Sequence, residues 1–182
     1  MWRHQSLEVP AMADARGDAF LSSVAAELRQ LKAKGAPRKA LLELLTSAAE
    51  KVGGSGAVVS IMLLDETGLL RNAAAPNLPA DYVAAIDGLK PDPGLGTCCA
   101  AAATGEVVLT PDFLADDKWA ELRHLPLSLG FLGAWSVPIR DAEGRVLGTL
   151  GTYFRSRRSP GMDERRLVEG LAGLAGVALG AE

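Results

Sequence analysis

Two stretches of this sequence lose the helical spacing of their apolar residues and fold back at a turn, and that arrangement restricts the fold most. The first is Ala57 to Leu64 (AVVSIMLL), a short run rich in β-branched residues that reads as a strand buried on both faces. Asp65-Glu66-Thr67-Gly68 turns it into a second strand, Leu69 to Ala75. The second unit pairs Gly133 to Ile139 with Val146 to Phe154 through Asp141-Ala142-Glu143-Gly144. Two hairpins separated by a largely helical excursion imply an antiparallel sheet covered by helices, not a doubly wound parallel one.

The flanks read as helix. From Met12 to Lys34, Phe20, Val24, Leu28 and Leu31 recur at helical spacing, behind a tail of about ten residues ended by Pro10. Gly35-Ala36-Pro37 breaks that helix, and a second follows from Pro37 to Lys51. A last helix is expected from Met162 to Leu179, with Asp163 and Glu164 in its first turn. Between the hairpins lie a short helix through Tyr82 and Ile86, then the loop Lys90 to Gly96. Thr97 is expected to cap a small-residue helix, Cys98 to Ala103, ended by Gly105. A brief strand at Val107–Leu109 and a helical stretch from Phe113 to about Leu129, bent or ended early by Pro126, complete the chain.

Charge and cysteine usage narrow the function. A net charge of -3 argues against nucleic acid, and the one dense basic cluster, Arg155-Ser156-Arg157-Arg158, reads as a solvated strand end. The two cysteines are adjacent, so no spaced disulfide framework exists, which suits a reducing cytosol. Neither a signal peptide nor an apolar run of membrane-spanning length is read, and the expected location is cytoplasmic.

Several short pieces, in order, resemble one family. They are Ala57 to Asp65, Pro93-Gly94-Leu95-Gly96-Thr97-Cys98 with Ala101 to Glu106, Thr110-Pro111-Asp112-Phe113, Trp119, Gly133 to Ile139, Gly144, Gly148 and Tyr153-Phe154. Together they are similar to the GAF domain, in the form found ahead of histidine kinases and diguanylate cyclases. The resemblance implies an α/β fold of the α+β type, with a central antiparallel sheet of five or six strands and helices on both faces. It divides the chain into residues 1–36, a tail and candidate dimerisation helix, and residues 37–182, the GAF domain. A ligand pocket is then expected between about residues 78 and 136. The terminal helices would pair in a homodimer and carry the signal to an output domain or a partner signalling protein.

Within that region Cys98, Cys99, Asp112, Trp119, Leu122, Trp135, Ser136 and Tyr153 are the candidate ligand contacts. Each has a plainer role. A thiol in a first helical turn favours thiolate, yet free cysteine is commonly buried as a small apolar residue. Asp112 and Asp116 read better as caps than as a cation site. Trp119 and Trp135 serve packing as readily as a pocket wall. His4 and His124 stand alone, and no metal set is read. Gly170, Gly173, Gly176 and Gly180 leave a smooth stripe on the last helix, which implies close approach of a sheet or a partner helix.

The function expected is regulatory: a small molecule of unknown identity, no assigned cofactor and no catalytic residue. One alternative is a protein-interaction module with a vestigial pocket. The other is a thiol-dependent reductase of free methionine sulfoxide, to which one branch of the family belongs. That chemistry needs two separated sulfurs, and the segment Gly130 to Ser136 supplies none.

Overall fold

The computed structural model describes residues 9–180, with side chains from residue 14 onward. Most of the tail, with His4, lies outside the described residues. Helix α1 spans Val9–Ala33 and α2 Arg38–Gly53. The first hairpin is β1 (Val58–Leu64) and β2 (Leu70–Ala74). Then come α3 (Ala80–Ile86), α4 (Thr97–Thr104) and β3 (Val108–Thr110). A 3-10 turn at Asp117–Trp119 and α5 (His124–Ser128) lead to β4 (Gly133–Arg140), β5 (Val146–Phe154) and α6 (Met162–Leu179).

The strands form one five-stranded sheet, ordered β2-β1-β5-β4-β3, with every neighbouring pair antiparallel. Both hairpin turns are built alike. Asp65 Oδ1 accepts from the amides of Thr67 and Leu69, and Asp141 Oδ1 from those of Glu143 and Arg145. Gly68 (φ 79°) and Gly144 (φ 82°) take the left-handed conformation that closes each turn.

Alternation along the strands splits the core in two. Val59, Ile61, Trp135, Val137, Ile139 and Leu150 face a helical layer made by α1, α2 and α6. Val58, Met62, Ala134 and Tyr153 face the other way, towards Tyr82, Phe113, Trp119 and Phe131. Helices therefore cover both faces.

Helix α1 lays its apolar stripe, including Val24 and Leu28, on α2 and α6 of the same chain. Arg166 reaches Asp14 and Asp18, and Leu21 sits over Gly170, so α1 and α6 run parallel. The glycine stripe divides by position. A methyl at Gly176 would lie 2.0 Å from the Arg140 carbonyl oxygen, while Gly173 has nothing within 4 Å.

Three sequence expectations change. Pro10 lies inside α1 rather than ahead of it, in the first turn that tolerates a residue without an amide hydrogen. Thr97 is already helical, and the preceding position belongs to Gly96 at φ +59° with no side-chain cap. The span Phe113 to Leu129 is not one helix. Asp112 takes the Leu114 amide and Asp116 takes that of Lys118, which diverts donors from a helical ladder. Pro126 bars helix extension from upstream, and sits instead in the first turn of α5.

The basic cluster is spent within the molecule. Arg155 stacks on Phe131, Arg157 pairs with Asp112, and Arg158 covers Phe154 while bonding Glu164 and the Gly53 carbonyl at the end of α2. No helix among the described residues is long and apolar enough to cross a membrane.

Candidate functional site

Three strands meet in register on the pocket face as a row of small residues: Ser60 on β1, Gly151 on β5 and Ser136 on β4. Helix α4 lies across this row, because Gly151 has no side chain to hold it off. A methyl there would stand 2.8 Å from the sulfur of Cys98. Cys98 Sγ in turn lies 3.1 Å from Ser136 Oγ, both buried. Gly151→Ala should therefore cost about 1–3 kcal/mol by overpacking. Adding Cys98→Ala in the same chain should recover part of that loss, as urea unfolding of the four combinations would show.

A cavity opens beside α4. Met62 and Tyr153 form its floor, Ile86 and Leu89 one wall, Thr97, Cys98 and Cys99 the helix end, and Trp119 with Leu122 the roof. Its volume is about 20 Å³, room for one water-sized occupant. Gly96 brings the preceding loop against the Trp119 ring, and its amide donates to the Lys118 carbonyl at 2.7 Å. Phe113 meets Trp119 edge-on at 4.5 Å, and Tyr82 meets Tyr153 at 5.7 Å.

Two buried polar groups on this side, Ser60 Oγ and Trp119 Nε1, lack partners, while Tyr82 interacts with Tyr153 and Thr149 with Cys98. Each such group costs about 1–3 kcal/mol if left unsatisfied.

Both thiols are held neutral. Burial pushes Cys98 up, against the opposing pull of its Ser136 hydrogen bond. Burial, then the nearby Cys98 and Asp92, push Cys99 up to about 12. The folded state thus keeps a proton that the unfolded chain releases near pH 9. Stability from this source is complete below about pH 9 and is lost as pH rises towards about 12. Unfolding titrations across that window should show the decline, and Cys99→Ala should reduce it, leaving the share that Cys98 contributes.

Five of the eight candidate residues, Cys98, Cys99, Trp119, Leu122 and Tyr153, line this cavity, and Ser136 backs Cys98. Trp135 does not join them: alternation turns it into the helical layer. Asp112 also lies apart, bonding the Leu114 amide and Arg157. Met62, Ile86, Leu89, Gly96 and Thr97 complete the lining and are not among the candidate contacts. The alternation Val58, Ser60, Met62 carried a signal for Met62; nothing local marked Leu89.

The profile of one family, described as the GAF domain, matches residues 35–180. The chain belongs to the GAF domain family. Helix α1 precedes the matched region and packs against α2 and α6 within it. The chain is 34% identical over 148 residues to the methyl sulfide methyltransferase-associated sensor of Methanosarcina acetivorans, covering 81% of this chain. It spans 15% of that sensor's length. Among solved structures, the GAF domain of a phosphoenolpyruvate-protein phosphotransferase from Coxiella burnetii superposes with TM-score 0.68 at 18% identity, over 87% of this chain and 92% of that one. Free methionine-R-sulfoxide reductase from Neisseria meningitidis, in complex with its substrate, gives 0.65 at 18% identity, over 98% and 94%. These structural likenesses speak to the fold alone.

Proposed function

We propose that this GAF domain is a non-catalytic, cytoplasmic sensory module whose input site is the cavity under α4. The observation that carries this reading is the cavity itself, roofed by Trp119, whose buried indole nitrogen has no hydrogen-bond partner. A ligand that accepts from Trp119 Nε1 recovers a cost the protein otherwise bears. An organic ligand must first displace the roof residues Trp119 and Leu122, because the space is about 20 Å³. That displacement is itself a two-state event, which a regulatory module requires.

The output runs through Arg140. Its guanidinium bonds the Gly105 carbonyl at the C-terminal end of α4, and its own carbonyl packs on Gly176 of α6. Movement of α4 is thereby felt at a terminal helix. In a homodimer built on the terminal helices, α6 offers Val177, 72% exposed, beside the open Gly173. The receiver would be an output domain or a partner signalling protein. The reductase reading is weaker, since Cys98 and Cys99 are consecutive and both neutral.

The small volume favours one other reading, an interaction module whose pocket is filled by its own side chains. Thermal unfolding against a metabolite and nucleotide panel, with native mass spectrometry, separates the two. A ligand at about 100 times its Kd adds roughly 2.7 kcal/mol of stability, and Leu122→Trp should abolish that gain by blocking the roof. Silence across the panel, with no copurified mass, selects the interaction module.

A further inference from the structure

Sulfur is scarce in this chain, with two cysteines and four methionines in 182 residues. Both cysteines and Met62 nevertheless line one cavity of about 20 Å³. Met62 rises from β1, while Cys98 and Cys99 occupy the second and third positions of α4. Both thiols are neutral in the folded chain, so a bound cation must displace a proton from one of them. No histidine, aspartate or glutamate lines the space. Among the described residues no cluster of three or more such groups could hold a metal.

This donor set discriminates among ions. Magnesium and calcium require oxygen ligands. Zinc takes four ligands from thiolate, imidazole or carboxylate, and the cavity offers two thiols and a thioether. Thiolate with thioether selects soft monovalent copper. Charge agrees: one thiolate neutralises Cu(I), and a neutral complex suits an apolar lining. A single ion also fits the space without displacing Trp119 or Leu122.

We propose that Met62, Cys98 and Cys99 form a binding site for a soft monovalent cation, Cu(I) by donor chemistry. The inference rests on reading this cavity as the input site. Binding forms a sulfur–copper bond to one cysteine, whose thiol proton passes to solvent. The second cysteine and the Met62 thioether donate as neutral ligands, so copper stays Cu(I) throughout.

The test is anaerobic titration of the whole chain with Cu(I), in competition with a chromogenic Cu(I) chelator. One equivalent should bind, with ultraviolet sulfur-to-copper absorption. Met62→Leu and Cys99→Ser should each weaken binding by at least about tenfold, the lower bound for losing a group that supports a metal site. Met162→Leu, at a side chain 90% exposed, should leave binding unchanged. Circular dichroism melts identify any variant that fails to fold, and Met62→Leu, close in volume, keeps the test decisive if Cys99→Ser does not fold. Unchanged affinity in Met62→Leu, or binding without the absorption, overturns the site. Tight one-to-one binding that leaves amide exchange in α6 unaltered keeps the cation site and removes the sensory reading. An organic ligand that stabilises the fold while Cu(I) fails to bind does the reverse.

Discussion

Gly176→Ala should destabilise the protein by about 3 kcal/mol, the upper end of ordinary overpacking, whereas Gly173→Ala, one turn earlier on the same helix, should stabilise it by up to about 1 kcal/mol. The two substitutions are chemically identical. In an isolated helix both would gain, because alanine loses less backbone freedom than glycine. What separates them is the sheet. The new methyl at position 176 falls 2.0 Å from the carbonyl oxygen of Arg140, a backbone atom held in the β4–β5 pairing. It cannot swing aside as a side chain would. At position 173 the methyl meets nothing within 4 Å. Denaturant unfolding of both variants, with m-values compared, reads the sign directly. Two changes of the same sign would mean that α6 does not press on Arg140.

Trp135→Ala should cost about 3–5 kcal/mol, the range for removing a large aromatic from a core. Trp135 is 1% exposed and packs in the cluster with Leu42, Leu45 and Leu171 beneath the helical layer. Its indole nitrogen finds no acceptor, so Trp135→Phe should lose distinctly less. A pocket-wall tryptophan would behave in the opposite way, changing ligand response with little effect on stability. Chemical denaturation of both variants, read beside Trp119→Ala, distinguishes a core position from a roof position. A stable Trp135→Ala protein would contradict the packing described.

How much of this the residues disclose depends on how local the deciding forces are. The hairpins were legible because alternation and the turns at Asp65 and Asp141 act over a few residues. The terminal helices were legible through the spacing of Phe20, Val24, Leu28 and Leu31. The span from Phe113 to Leu129 was not, because its apolar spacing resembles a helix while Asp112 and Asp116 capture the amides a helix would use. At the site, Cys98 and Cys99 stood out by rarity. Trp135 stays open between core and pocket in the sequence because a strand sends neighbours to opposite faces, and aromatic character does not reveal which. Strand alternation carried a signal for Met62, whereas Leu89 reaches the cavity through loop closure, which only the assembled fold fixes.

The parallel packing of α1 and α6 has a geometric consequence. Two parallel helices are entered at one end and left at the other, and the 18 residues of α6 separate those ends by about 27 Å. Any polypeptide leading into α1 and any leading out of α6 are thus wired in series, with the sheet riding on the side of the rod. Such wiring transmits a change of phase between two helices more readily than a change of distance. A screw of one helix against the other, set by which side chains fit over Gly170, would reach the far end as rotation.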